Sequence, residues 1–368
     1  MMQVVEVNAI EHLEAIRLRW TSLLYQTPGA SFFHTLDWLQ VYWQHVRQHQ
    51  RLRVLLVYRS GTVIGILPLV VREETTAAGP ADVLTYPTIN PTHFSGPIGP
   101  NPTATLMASF RHLAGRSRDW DLLSLGSIGE HDRGRTANAL ELAGFCARKE
   151  VHATVAKVCF DASRSDLPVR WPSKAVVQSH RRASTALAGH RTKERESEPA
   201  SEMTFERIRP LDGTYEDDQS LEDLVKECFS LNVHVPSESS PESSPSLLRD
   251  AVSTASRLGM LDLSLLRLDG RLIAYSINVH FDGVIQQIRV GGNAASLDFL
   301  PTDGLARRMV QDSMLRQDRC IYLFDSCDGL ASFRGTQQVP LVRYQYRAST
   351  PLHERLREFG HWLMPLEK

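Results

Sequence analysis

A gapless internal repeat constrains the fold of this chain more than any other feature. Residues 261–279 align with residues 52–70 without insertion or deletion, and each segment consists of two apolar, β-rich runs that meet at a glycine, Gly61 or Gly270. A glycine at such a junction can supply the positive φ of a tight turn, so each segment is predicted to be a β-hairpin. The sequence therefore predicts two copies of one structural unit.

The same order of elements surrounds both hairpins. Apolar residues recur at a helical period in two segments before each hairpin, and a helix followed by a buried strand is predicted after it. In the first copy these segments are 9–24, 36–49, 106–116 and 120–125, and in the second they are 219–232, 246–258, 305–316 and 320–324. Residues 80–102 are predicted to be a long surface loop with short strands, and a further helix is expected over 133–143.

The chain of 368 residues is long enough for two domains. Their predicted limits are 1–168 and 201–368, with a basic connecting helix over 169–200. Residues 170–195 contain seven Lys or Arg and one acid, Glu194. Two interpretations of this segment remain open, a solvated helix and a clamp for a phosphate-bearing ligand or an acidic substrate.

Composition and charge exclude several classes of protein. With 42% hydrophobic and 23% charged residues the chain is expected to fold as a globular protein, and a net charge of −1 argues against nucleic-acid binding by the whole protein. The amino terminus lacks the pattern of a secretory signal, and no apolar run approaches the length of a membrane span. We therefore expect a cytoplasmic protein without a membrane span.

Cysteine and histidine patterns give no support to a metal or disulfide site. The five cysteines are scattered along the chain, and the 14 histidines form none of the common zinc motifs. The cysteines are therefore expected to be reduced thiols, and no metal is predicted.

Short motifs in both copies resemble the GNAT superfamily of acyltransferases. Residues 268–275 (Leu-Asp-Gly-Arg-Leu-Ile-Ala-Tyr) are similar to the hairpin that precedes the central GNAT strand. Further matching pieces are Phe-Phe-His-Thr-Leu-Asp-Trp-Leu at 32–39, Trp-Asp-Leu-Leu-Ser-Leu at 120–125, Leu-Pro-Thr-Asp-Gly-Leu at 300–305, Phe324-Asp325 and Phe333-Arg334. Across residues 32–346 the chain resembles the CelD-like branch of polysaccharide-biosynthesis acetyltransferases, whose layout is similar to that of the tandem-domain Fem-type transferases.

The resemblance implies an α/β fold with a mixed sheet, built as two tandem GNAT-like domains, with acetyl-CoA or another acyl-CoA as co-substrate. GNAT domains hold the CoA pyrophosphate on backbone N–H groups at a helix start, where the helix dipole favours an anion. The candidate cofactor-binding residues are Arg289, Gly291, Gly292, Thr302, Asp303, Gly304, Leu305 and Arg308. The first half lacks an obvious glycine-bearing helix start, so we expect it to be structural and assign the cofactor to the second half.

This region departs from the family pattern at two places. The segment Arg289-Val-Gly-Gly-Asn-Ala fits the usual Arg/Gln-x-x-Gly-x-Gly/Ala fingerprint only loosely, and Thr302-Asp303-Gly304 stands where the branch is expected to have Ser-Pro-Gly. Asp303 would also place a negative charge beside the pyrophosphate. An alternative interpretation is that Thr302 and Asp303 serve only as helix-capping residues.

Direct acyl transfer requires a group that accepts a proton from the acceptor and a group that protonates the departing thiolate. Asp325, at the end of a predicted core strand, is the candidate carboxylate, and Tyr275 and Tyr322 are candidate acids. Asp325 could instead cap a turn, and both tyrosines could be core aromatics. Arg334 falls where the resemblance implies a basic residue, and it could bind a substrate carboxylate or phosphate.

The leading hypothesis is transfer of an acyl group from acyl-CoA to an amine or hydroxyl of a small molecule or sugar. Two alternatives stay open. In one, a Fem-type enzyme transfers an aminoacyl group from charged tRNA, which is the only reading that calls for nucleic acid. In the other, a degenerate pair of GNAT-like domains binds a ligand or partner without turnover.

Overall fold

The chain forms two units in a computed structural model that describes residues 2–76, 79–88, 95–116, 118–128, 132–160, 202–210, 218–231, 245–293, 301–323 and 336–348. The first unit comprises residues 1–153 and 340–368, and the second comprises residues 154–339. The first unit therefore takes up the carboxy-terminal end of the chain.

Each unit combines strands and helices. The strands are β1 (Met2–Val7), β2 (Gln50–Arg59), β3 (Thr62–Thr76), β4 (Gly79–Thr85), β5 (Leu122–Ile128), β6 (Arg148–Cys159), β7 (Met203–Ile208), β8 (Leu261–Leu268), β9 (Arg271–Phe281), β10 (Val284–Gly292), β11 (Cys320–Leu323) and β12 (Thr336–Arg347). The helices are α1 (Arg17–Tyr25), α2 (Leu36–Val46), α3 (Pro102–Ala114), α4 (Arg135–Leu142), α5 (Asp218–Ser230), α6 (Pro245–Arg257) and α7 (Pro301–Leu315). Residues Ile10–Ile16 form a 3-10 segment ahead of α1.

The two sheets have the same order and the same strand directions. In the first unit the order is β1-β2-β3-β4-β5-β12, and in the second it is β7-β8-β9-β10-β11-β6. All described pairs are antiparallel except β4–β5 in the first sheet and β10–β11 in the second, which are parallel. The mixed α/β architecture and the internal duplication expected from the sequence are confirmed.

The two hairpins match in detail. At the turn of the first, Ser60 and Gly61 have φ values of 51° and 78°, and at the turn of the second, Asp269 and Gly270 have values of 50° and 77°. Positive φ at both central residues is the requirement of the two-residue turn that suits the twist of a hairpin. The pairing register also shifts at the equivalent point, after Val57 in the first hairpin and after Leu266 in the second.

Each unit has a hydrophobic core on the sheet face that carries its longest helix. In the first unit, Leu106 and Phe110 of α3 pack with Leu67 and Leu69 of β3, and all four side chains are buried. In the second unit, Leu305 and Met309 of α7 pack in the same way with Ala274 and Ile285. Helix α4 packs in the first of these cores as well, through Ala139 and Leu140.

Several predicted elements differ from the structure. Residues 80–102 contain a short strand, β4, as expected. Helix α3 begins at Pro102, before the predicted residue 106, because a proline suits the first turn of a helix. Strands β6, β7 and β12 carried no clear sequence signal. Residues 9–24 divide into a 3-10 segment and α1.

The predicted domain limits at 168 and 200, and the basic connecting segment between them, lie outside the described residues, so that part of the organisation stays a prediction. Residues 336–347 fall within the predicted second domain, 201–368. In the structure they form β12, whose residues 341–347 pair with β5 of the first unit.

Candidate active site

The carboxyl end of β10 lies directly against the first turn of α7. A Cβ atom at Gly292 would be 3.1 Å from Cγ2 of Thr302 and 3.3 Å from the carbonyl oxygen of Ile273. Those separations leave little room for a side chain, so the glycine allows the strand end and the helix start to meet. The structure thus brings the predicted residues Gly292 and Thr302 together.

The start of α7 presents backbone donors that the helix itself cannot satisfy. The first four N–H positions of a helix have no intrahelical acceptor, and Pro301 at the first of them carries no N–H. The amides of Thr302 and Asp303 therefore remain as donors, at the end of the helix whose dipole favours negative charge, and Gly304 follows them as the fourth residue of the helix. Leu305 is fully buried in the core and anchors this turn. Arg308 follows in the second turn and is half-buried.

Strands β10 and β11 run side by side only at their beginning. Their parallel register extends from Val284, opposite Cys320, to Gln286, opposite Tyr322. The pairing of β10 with β9 then skips Ile288, which forms a β-bulge between Gln287 and Arg289. Beyond this bulge the described residues give β10 no partner on the β11 side. The described part of the parallel pairing therefore ends just before the bulge.

Arg289 is held on the opposite face of the sheet from α7. Its Nε donates a hydrogen bond of 3.0 Å to the hydroxyl of Tyr275, and its guanidinium carbon lies 5.3 Å from the ring centroid of Phe229 in α5. The side chain thus combines a hydrogen bond with a cation–π contact. Sequence analysis grouped Arg289 with the α7 start, whereas the structure groups it with Tyr275.

The two candidate acids lie at different levels of β10. Tyr275 is opposite Gly291, and Tyr322 is opposite Gln286. At about 3.3 Å per residue these positions are roughly 13–16 Å apart along the strand. The structure therefore does not bring the two hydroxyl groups into one cluster.

Both tyrosines are buried, and each lies near a cation. Burial raises the pKa of Tyr275, and the nearby Arg289 only partly opposes this effect. Tyr275 is therefore protonated at neutral pH, and it can donate a proton but not remove one. Tyr322 is also buried, and the ammonium group of Lys157 lies 5.3 Å from its ring centroid.

The remaining predicted site residues cannot be placed. Asp325 and Arg334 lie outside the described residues, so their roles stay predictions. Among the residues that are described, no group of three or more His, Cys, Asp or Glu side chains is arranged to hold a metal ion. In the same residues, no helix combines the length and the apolar character needed to cross a membrane. Cys146, Cys159, Cys228 and Cys320 are free thiols.

Beneath the carboxyl end of α7 lies a buried network of charges that sequence analysis missed. Arg207 Nη2 and Arg209 Nε donate to the same oxygen of Asp262, at 2.8 Å and 2.7 Å. Arg207 also binds Ser313 of α7, and Arg209 binds Asp318 through two hydrogen bonds. The network ties β7 and β8 to α7 and fixes the helix that carries the site.

The ionisation of Asp262 is set by two opposing effects. Complete burial raises the pKa of this carboxyl group, but Arg207 and Arg209 outweigh that effect and the net pKa is lowered. Asp262 is therefore a carboxylate at neutral pH. In the sequence, an aspartate inside the run Leu-Asp-Leu-Ser-Leu was the one available signal, because an acid at a core position requires a partner.

The first unit contains a counterpart of this strand end. Ile98 exchanges two backbone hydrogen bonds with Ile66, and Gly99 follows it, three residues before α3 begins. Gly99 is also close-packed, since a Cβ there would be 2.7 Å from the carbonyl oxygen of Ile64. The first turn of α3 (Pro-Thr-Ala-Thr) carries no glycine of its own, and the glycine of this half lies ahead of the helix at Gly99. The amide of Gly99, however, donates a hydrogen bond of 2.7 Å to Thr27 Oγ1.

Comparison with known proteins agrees with this geometry. Residues 184–328 match the family model described as acetyltransferase (GNAT) domain, and this span contains β7 to β11 and α7. No curated protein matches the chain. The match covers the second unit from β7 to β11, and it supports the prediction that the chain is a transferase.

Solved structures give the corresponding fold. FemX has 10% identity and a TM-score of 0.55, with 95% of this chain and 99% of that chain covered. A tandem GNAT protein from the clavulanic acid biosynthesis pathway has 12% identity and a TM-score of 0.48, covering 95% and 99%. L-PGS from Bacillus licheniformis has 11% identity and a TM-score of 0.46, covering 92% and 95%. At this identity the FemX match shows a shared fold and nothing about substrate.

Proposed function

We propose that the second unit transfers an acyl group from acyl-CoA to an amine or hydroxyl of a small molecule or sugar. The observation that carries the proposal is the meeting of the Gly292 strand end with the first turn of α7, on a strand that is bulged at Ile288. A diphosphate accepts hydrogen bonds from amides of this kind, and an extended thioester arm can lie along the bulged strand. The family match over the same elements supports this use of the site.

The residues would divide the work by position. The amides of Thr302 and Asp303 would bind the diphosphate, and the absence of a side chain at Gly304 would allow close approach to the helix. Because the bulge leaves Ile288 without a partner on β9, its amide is the proposed donor to the thioester carbonyl. Asp325 is proposed to accept the proton of the acceptor.

The chemical step exchanges one bond for another. The acceptor nitrogen or oxygen bonds to the thioester carbonyl carbon, the carbon–sulfur bond breaks, and the departing thiolate takes up a proton. Tyr322 is the better-placed proton donor, because its partner Gln286 lies two residues before the bulge at Ile288. Tyr275, protonated but further along β10, is the alternative donor. Transfer to a polysaccharide precursor in the cytoplasm is the finer expectation, and it depends on the CelD-like resemblance alone.

A matched pair of variants tests the cofactor site. Thr302→Glu introduces a carboxylate into the first turn of α7, and Thr103→Glu does the same at the equivalent position of α3. A negative charge near a helix start favours folding, so neither variant is expected to unfold. Titration calorimetry should show acetyl-CoA binding weakened by about tenfold or more in Thr302→Glu, and unchanged in Thr103→Glu.

Other outcomes would contradict the proposal in distinguishable ways. If saturating acetyl-CoA neither binds nor raises the melting temperature of the wild-type protein, the protein does not use acetyl-CoA. RNA that co-purifies in a salt-dependent manner and is removed by ribonuclease would favour the tRNA-dependent alternative. If acetyl-CoA binds but no free CoA appears with any amine or hydroxyl acceptor, the unit binds without turnover.

A further inference from the structure

One face of the first sheet changes character between its strands. On the face that α1 and α2 cover, β2 and β3 contribute Leu52, Val54, Leu56, Ile66 and Val70, which are all buried. On the same face, by register and alternation, the later strands contribute Arg72, Thr85, Ser124, Gly126, Arg343 and Gln345. Most of these polar residues are half-buried, and the side chain of Arg343 is 33% exposed. This polar floor is therefore partly open to solvent.

A cavity lies over the polar floor. Its volume is about 130 Å³, and Arg72, Thr85, Ser124, Gly126, Arg343 and Gln345 all contribute to its lining. Water occupies about 30 Å³ per molecule in the liquid, so the space corresponds to roughly four water molecules. A phosphate or carboxylate with a short polyol chain is of this size.

Gly126 leaves space that the backbone does not require. Its φ is not in the left-handed region, and a Cβ atom at this position would meet no heavy atom within 4 Å. Neither a turn nor close packing therefore accounts for a glycine in the middle of β5. A strand glycine of this kind is typical of a place where a ligand approaches the backbone.

The two arginines that line the cavity differ in how closely a carboxylate binds them. Arg72 donates from Nε to Glu74 Oε1 at 2.7 Å, so this pair is internally neutral. Arg343 has its ion pair among the described residues with Glu150, and the 3.9 Å between Nη1 and Oε1 is too long for a hydrogen bond. Arg343 can therefore turn donors toward an anion in the cavity.

We propose that this cavity in the first unit binds a small anion that carries hydroxyl groups, such as a polyol phosphate or a sugar-acid carboxylate. Arg343 binds the anionic group, and Thr85, Ser124 and Gln345 exchange hydrogen bonds with the hydroxyls of the ligand. Every residue involved lies in the first unit, so the proposal does not depend on acyl-CoA binding by the second. It replaces the expectation that the first half is purely structural.

Four probes and three variants test the site in the full-length protein without CoA. The probes are glycerol 3-phosphate, glycerate, glycerol and inorganic phosphate, and calorimetry measures their affinities. We expect at least one of the two hydroxyl-bearing anions to bind about tenfold or more tightly than both glycerol and phosphate. The comparison of glycerol 3-phosphate with glycerate then identifies the anionic group as phosphate or carboxylate.

The variants separate this cavity from any other anion site. Gly126→Leu fills the cavity and Arg343→Gln removes its cation, and each should weaken binding by about tenfold or more. Arg347→Gln alters an exposed arginine on the same strand and the same face, outside the cavity, and should leave affinity within about twofold. If circular dichroism shows that Gly126→Leu is unfolded, Gly126→Ser together with Arg343→Gln provides the test.

Three results would overturn the proposal. In the first, none of the anions binds the wild-type protein at millimolar concentration. In the second, Arg343→Gln and a folded Gly126 variant bind as tightly as the wild type. In the third, inorganic phosphate binds as tightly as the tighter-binding of the two hydroxyl-bearing anions, which would leave the hydroxyl and amide side chains without a role.

Discussion

The starts of α3 and α7 pack against their strands in the same way but are connected to them differently. Both helices begin with a proline followed by a threonine, and both lie against a strand end marked by a glycine. In the first unit Gly99 lies three residues before α3 and its amide is bound by Thr27. In the second unit Gly292 lies nine residues before α7. The duplication kept the contact between strand and helix and changed the connection that a ligand would use.

The close approach of helix and strand also uses glycine in opposite ways. In the first unit the glycine is on the strand: a Cβ at Gly65 would be 2.0 Å from Thr105 Oγ1. The hairpin alignment places Ala274 at the position of Gly65, and the helix starts place Gly304 at the position of Thr105. The second unit thus has its glycine on the helix.

An ion pair between the first two strands of each sheet has opposite polarity in the two units. Glu6 of β1 binds Arg53 of β2 at 2.8 Å. At the equivalent register positions, Arg207 of β7 binds Asp262 of β8. The side chains of Arg53 and Glu6 are 15% and 22% exposed, against 1% and 0% for Arg207 and Asp262. The same geometry should therefore contribute differently to stability.

The largest effect is expected for Asp262→Asn. Loss of this carboxylate removes the fully buried partner that Arg207 and Arg209 share and leaves them only Asp312 and Asp318, and removing one partner of a buried pair costs about 3–5 kcal/mol. Urea unfolding at neutral pH should show a loss of this size. A cost below about 1 kcal/mol would mean that the network is hydrated rather than buried.

Gly65→Ala should come next, with a loss of about 1–3 kcal/mol from overpacking against Thr105. Adding Thr105→Gly recreates the arrangement inferred for the second unit, so the double variant should be more stable than the sum of the single losses predicts. Thermal unfolding of the four proteins measures this coupling. Strict additivity would show that the two units do not exchange glycines at equivalent positions.

The pH dependence of stability should follow Asp262. Because its folded pKa is lowered, it stabilises the protein above the unfolded pKa of about 3.9, and this contribution is lost as the pH falls through the folded value. The stability gap between wild type and Asp262→Asn should therefore narrow below about pH 4. Urea midpoints measured from neutral to acidic pH give this profile, and a gap that stays constant into the acid range would contradict it.

Glu6→Gln is the matched, smallest change. The pair with Arg53 is partly exposed, and ion pairs of this kind contribute about 0.2–1 kcal/mol. The unfolding midpoint should therefore move only slightly. A loss equal to that of Asp262→Asn would contradict the argument that burial distinguishes the two pairs.

The parts of the fold that sequence could predict are those with local signals. The hairpins follow from Ser60-Gly61 and Asp269-Gly270, because a two-residue turn requires positive φ. The pairing of Leu341 with Ile128 joins residues more than 200 positions apart, and nothing in either strand specifies its partner. The bounds of β4 could not be predicted, because the strand starts with Gly-Pro-Ala-Asp and these residues are typical of loops.

The candidate site divides in the same way. Gly292 and Thr302 could be chosen from the sequence because glycine near a helix start has a local meaning. The contact of Arg289 with Tyr275 and Phe229 depends on which sheet face each residue occupies, and the bulge at Ile288 shifts that alternation. Likewise, Arg207 and Asp262 are 55 residues apart, and only the strand register shows that they form a pair.

Hydrogen exchange in the presence of saturating CoA tests most directly whether the start of α7 is the diphosphate site. The amides of Thr302 and Asp303 should exchange more slowly when CoA is bound, because the ligand accepts their hydrogen bonds. The amides of Thr103 and Ala104, at the start of α3, should exchange at the same rate with and without CoA. Protection at α3, or binding without protection at α7, would contradict the assignment of acyl-CoA to the second unit.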